Sequence, residues 1–120
     1  MVEVLIRGAD HVLTMDDTAA GPDILIRDGV IAAMGTGLST VGQVVLAKGC
    51  LVTPGLVNTH HHLFQTLTRA VPAGQDALLF GWLKALYPIW ARFTPDHVHV
   101  ATQLGLAELA LSGCSMTYDH

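Results

Sequence analysis

The chain has 120 residues, with ten acidic and six basic side chains, a formal net charge of −4, and 51% hydrophobic against 13% charged residues. The length suits one small domain, and the acidic balance offers no basic footprint for nucleic acid. No stretch reaches the roughly 18 uninterrupted apolar residues of a membrane span, and Glu3 and Arg7 interrupt the first apolar run, so neither a leader nor a span is read. A cytoplasmic protein is expected. Cys50 and Cys114 lie in apolar contexts without Cys-x-x-Cys spacing, which predicts buried free thiols in a reducing compartment. So apolar a composition suits a segment covered by further chain, and a fragment or one piece of a larger assembly is expected.

In chain order, residues 2–7 alternate as a strand, Gly8-Ala9-Asp10 turns it, and residues 11–15 read as a second strand. His11 is isolated from other candidate ligands and reads as an ordinary surface histidine. Apolar runs over 23–27 and 30–34 flank Asp28-Gly29, a strong hairpin signal because both central residues must take positive φ. Val44–Ala47 makes another short strand, so residues 1–50 are read as all β. The run from Cys50 through Val57 reads as one buried strand that delivers His60, His61 and His62 at its end.

The pattern then turns helical. Leu78, Leu79, Trp82, Leu83 and Leu86 share a face, and Tyr87-Pro88 is expected to end or kink that helix. Thr94-Pro95-Asp96 offers an N-cap with proline at the first position of a helix running to about Leu111, with Val100, Leu104, Ala107 and Leu111 on one stripe. Ser112-Gly113 stops it, and Cys114–Asp119 reads as a strand. Strand, helices and strand fit the start of a right-handed parallel βα repeat.

Residues two apart on a strand point to the same side, so His60 and His62 project together while His61 points away. Two neutral imidazoles so placed can chelate a metal such as zinc. His97 and His99 provide the contrast. They lie in a predicted helix, where residues two apart diverge by roughly 200°, so they read as surface side chains. The His-Glu-x-x-His and phosphate-loop patterns are absent, and so is the His-x-Glu with Pro-Cys-x-x-Cys deaminase site.

Pro54-Gly55-Leu56-Val57-Asn58-Thr59-His60-x-His62 resembles the signature of the amidohydrolase superfamily of metal-dependent (β/α)8-barrel enzymes. The continuation through Ala70 most resembles its aminohydrolase branch, near 8-oxoguanine deaminases and the triazine aminohydrolases and chlorohydrolases. The resemblance covers nearly the whole chain, as the N-terminal portion of a longer protein. It implies an α/β fold: an N-terminal part of a small β-sandwich over 1–50, then the first βα units of a TIM-type barrel over 51–120, incomplete here. In that family the N-terminal strands pair with strands from the far C-terminus.

The implied activity is hydrolytic deamination of an 8-oxoguanine-like purine or a triazine by a metal-bound hydroxide. The alternatives are a cyclic-amide hydrolase of the hydantoinase or dihydroorotase type, and a non-catalytic fragment. His60 and His62 would be metal ligands for a divalent ion, zinc or alternatively iron, while a third histidine, an aspartate and the proton-shuttling groups come from later strands. Asp96, Glu108 and Asp119 are not assigned to those roles, and this chain carries no catalytic residue beyond the two ligands. Gln65, Trp82 and His120 are the candidate substrate contacts, with Arg69 and Gln75 read as loop polars. A small heterocycle is the expected partner, with no nucleic acid or membrane, and the complete protein is expected to be a homo-oligomer.

Overall fold

The computed structural model describes residues 2–120, which fall into two compact units, one ending at Pro54 and the other beginning at Gly55. The first unit is all β. Strands β1 (Glu3–Arg7), β3 (Asp23–Arg27), β4 (Val30–Gly35) and β5 (Gln43–Leu46) form a sheet in the order β4-β3-β1-β5, and β2 (His11–Val12) pairs with β6 (Leu51–Val52). The β3–β4 hairpin turns at Asp28 and Gly29, with φ of 46° and 82°, as the Asp-Gly signal requires. β1 lies antiparallel to β3 and parallel to β5, and Leu5, at its centre, is fully buried.

Asp23 is a buried carboxylate in this unit, held by backbone amides. Its Oδ1 accepts from Gly8 N–H at 2.9 Å and its Oδ2 from Leu38 N–H at 3.0 Å. The Gly8 bond, reinforced by those of Leu38 and Gly37 and opposed by desolvation, holds its pKa below the ordinary carboxylate value. A lowered folded-state pKa contributes stability that is present above the unfolded value and lost as pH falls through the folded one. Melting temperature is therefore expected to drop as pH falls below the ordinary carboxylate range. Asp23→Ala, which leaves two amides without their acceptor, should melt lower at pH 7 and show a shallower acid dependence over that window.

Two expectations need correction here. The run 50–57 is not one buried strand: β6 ends at Val52, and β7 (Leu56–His61) belongs to a different sheet. Pro54 supplies no N–H for a ladder between them. Leu56 and Val57 are 61% and 60% exposed. The thiols also differ from expectation: Cys50 is exposed, because it closes the Ala47–Cys50 turn through an N–H donated to Ala47 C=O, and Cys114 is only half-buried.

In the second unit β7 pairs in parallel with β8 (Cys114–Asp119), and the connection carries 3-10 turns at Leu63–Thr68 and Pro72–Gly74, then α1 (Leu79–Trp90) and α2 (Pro95–Leu111). A parallel pair requires such a crossover. Gly55, just before β7, meets Ser115, since a Cβ built there would lie 2.5 Å from the Ser115 Cβ. α1 runs through Pro88 to Trp90 rather than ending before it. The missing N–H falls in the last turn, where Trp90 anchors the helix by donating its indole N–H to Thr68 Oγ1 at 3.0 Å and packing edge-on to Phe64, Trp82 and Tyr87.

α2 starts at the expected cap. Thr94 Oγ1 accepts from His97 N–H, and the Thr94 N–H donates to His97 Nδ1 at 3.1 Å, so His97 completes a capping box and stacks on Phe93. The face α2 buries is not the larger stripe. Ala101 and Gly105 are its buried residues, whereas Val100, Leu104 and Leu111 are exposed. Small residues let the helix close onto the first 3-10 turn: a Cβ at Gly105 would lie 2.8 Å from Leu63 Cδ2 and 3.0 Å from Thr66 Oγ1. No helix among the described residues is long and apolar enough to cross a membrane.

Candidate metal centre

Strand alternation places the three consecutive histidines as their spacing requires. The rings of His60 and His62 lie 5.1 Å apart, centre to centre. His61 turns towards α2, where its Cε1 comes within 3.8 Å of a Cβ built at Gly105. Zinc–nitrogen bonds of about 2.0–2.1 Å at a tetrahedral angle put two imidazole centres roughly 5.2 Å apart on one ion, so the observed separation fits a shared ion.

The tautomer of His62 is set by its neighbour. Its Nδ1 lies 3.0 Å from His120 C=O, and a carbonyl only accepts, so Nδ1 carries a proton and the neutral ring has its lone pair on Nε2. Metal-binding imidazoles commonly donate their other ring N–H to a carbonyl in this way. His120 N–H in turn donates to His61 C=O at 2.9 Å, and the His120 ring donates from Nε2 to Thr59 C=O at 3.3 Å. The His120 ring stands 5.1 Å from that of His60 and 5.8 Å from that of His62. Among the described residues no group of three or more His, Cys, Asp or Glu side chains is arranged to hold an ion, so the donor set here is a pair with a third ring beside it.

A cavity of about 220 Å³ is lined by His60, His61, His62, Gln65, Thr66 and Arg69. That is smaller than the roughly 300–1,000 Å³ of ordinary ligand sites. Gln65 thus joins the histidines, while the Arg69 guanidinium is engaged by Glu108 at 2.6 Å. Trp82 is not brought there: its ring packs against Trp90 and over Gly74. Gln75 donates to Arg69 C=O at 3.0 Å, a loop-closing bond. A larger cavity of about 500 Å³ runs along residues 9–22 in the first unit, and His11, exposed in β2, is the one histidine in its lining.

Two buried polar atoms beside the centre, His61 Nδ1 and Thr66 Oγ1, lack hydrogen-bond partners. Asp119 Oδ1 accepts from Leu63 N–H at 2.7 Å. Nothing in the local pattern marks that bond, because its partners are 56 residues apart.

A parallel strand pair with a helical crossover carries a His-x-His at its strand end, and the chain belongs to the amidohydrolase family, whose pattern it matches over residues 51–120. It is 41% identical over 124 residues to the 8-oxoguanine deaminase of Pseudomonas aeruginosa, covering 100% of this chain and 28% of that protein. It is 42% identical over 125 residues to an isoxanthopterin deaminase from an unknown prokaryotic organism, covering 97% and 26%. Among solved structures it resembles the atrazine chlorohydrolase TrzN from Arthrobacter aurescens TC1 complexed with zinc, with a TM-score of 0.84, 32% identity, and coverage of 97% of this chain and 28% of that one. The chain spans little more than a quarter of the length of these relatives.

Proposed function

We propose that this chain is the metal-binding opening segment of a hydrolase that removes an amino group from a nitrogen heterocycle, with an oxidised purine or a triazine as the substrate class. In this reading residues 51–120 begin a (β/α)8 barrel and residues 1–50 belong to a small β domain. The observation that carries it is the pair His60 and His62, with ring centres at the separation two ligands of one ion adopt and the His62 tautomer fixed by His120 C=O. The deaminase names of the two relatives support the reaction class.

His60 and His62 would hold a divalent ion, zinc or alternatively iron. Such an ion lowers the pKa of a coordinated water towards neutrality. The chain's own residues do the rest of what falls to this segment. Gln65, in the cavity wall, offers an amide that can both donate to and accept from a ring edge bearing C=O and N–H groups. His120, whose ring stands beside both imidazoles, is the second substrate contact of this reading. The test is ammonia release by the complete protein over a panel of aminated purines, pterins and triazines. Turnover of at least one class is expected. Hydrolysis of cyclic amides with no ammonia released from any of these would overturn the proposal.

A further inference from the structure

We infer that Asp119 is a positioning residue that sets the orientation of His62 by capping the turn behind it. The inference rests on the metal reading above. His62 ends the extended segment with φ −130° and ψ 84° and precedes the 3-10 turn Leu63–Thr68, and no side-chain cap of its own satisfies that turn. The first amides of such a turn have no partner within it. Leu63 N–H, the amide directly after His62, is instead donated across to Asp119 Oδ1 at 2.7 Å, a charge-assisted length.

The strand ladder does not hold this end by itself, because the β7–β8 register is irregular between Asn58 and His61. Three bonds replace it around the His62 peptide: His120 N–H to His61 C=O, His62 Nδ1–H to His120 C=O, and Leu63 N–H to Asp119 Oδ1. The first two fix the strand ends and the ring proton. The third fixes the backbone that carries the ring, with Leu63 buried beneath Gly105 on the other side. His62 is thereby held from both flanks, with Nε2 left for a ligand.

The acceptor's location, rather than its charge, is what this role requires. Asp119→Asn keeps an oxygen at the same reach and loses the charge, whereas Asp119→Glu keeps the charge and moves the oxygen by one methylene. In the complete protein loaded with zinc, the rate of zinc loss to a chelator is expected to stay within about twofold of the parent for Asp119→Asn. It is expected to rise about tenfold for Asp119→Glu, the lower end for losing a partner behind a metal ligand. The metal-free Asp119→Glu protein should melt lower than the parent because Leu63 N–H loses its acceptor, whereas faster zinc loss is the readout a purely structural role would not move.

Equal rates for Asp119→Glu and the parent, or Asp119→Asn losing zinc as fast as Asp119→Glu, would overturn the inference. The metal reading fails separately: a parent that holds no ion, or a His62→Ala protein that keeps it, sinks both.

Discussion

Alanine at His60 or His62 is expected to empty the site in the complete protein, while alanine at His61 leaves it filled. Zinc bound by four protein ligands gains on the order of 10–16 kcal/mol, so one imidazole contributes about 3 kcal/mol, or roughly a hundredfold in affinity. Each of the two outer replacements should therefore lower zinc content at limiting metal and lower ammonia release in parallel. His61 turns to α2, so its replacement should cost stability and not metal. Metal analysis by mass spectrometry on the three variants separates the cases. Equal zinc loss from all three would mean that the alternation of His60, His61 and His62 at the end of β7 does not select the ligands.

Gly55→Ala is expected to be the most damaging single methyl in the second unit. The added Cβ would sit 2.5 Å from Ser115 Cβ and 2.3 Å from Ser115 Oγ, far inside contact distance, and a Cβ cannot swing away as a side-chain tip can. Overpacking of this kind costs about 1–3 kcal/mol, and relief requires β7 and β8 to separate at the end where Leu56 N–H bonds Gly113 C=O. Ser115→Gly removes the obstacle, so the double variant should recover at least about 1 kcal/mol relative to the sum of the single changes. Denaturant midpoints of the four proteins in the cycle test this, and strict additivity would contradict the contact.

Features governed by near neighbours were legible in the sequence. Asp28-Gly29 fixed a hairpin because the turn demands positive φ at both positions, and Thr94-Pro95 fixed a helix start because the cap is local. The facing of His60 and His62 was legible for the same reason, as a period of two needs no tertiary knowledge. Where tertiary contact decided the outcome, the pattern misled. α1 passes Pro88, which excludes the ending but not the kink that the proline allows, and Trp90 is held there by Thr68, 22 residues earlier. α2 buries Ala101 and Gly105 because the turn at Leu63 comes too close for larger side chains. The strand from Cys50 broke at Pro54 into two sheets, since one residue without an N–H outweighed a continuous apolar run. At the candidate centre, the histidine pair was visible, but the carbonyl that sets one tautomer and the carboxylate that caps the next amide lie 58 and 56 residues away.

The parallel pairing of β7 with β8 also sets a timetable for synthesis. A ribosome that has just added His62 has made both outer imidazoles, yet the carbonyl that orients one of them belongs to a residue 58 positions on. At translation rates of about 5–20 residues per second, roughly 3–12 s separate the synthesis of that ring from the synthesis of its brace. A polypeptide that ends before β8 carries both histidines, but neither the carbonyl that fixes the His62 ring proton nor the carboxylate that caps Leu63 N–H.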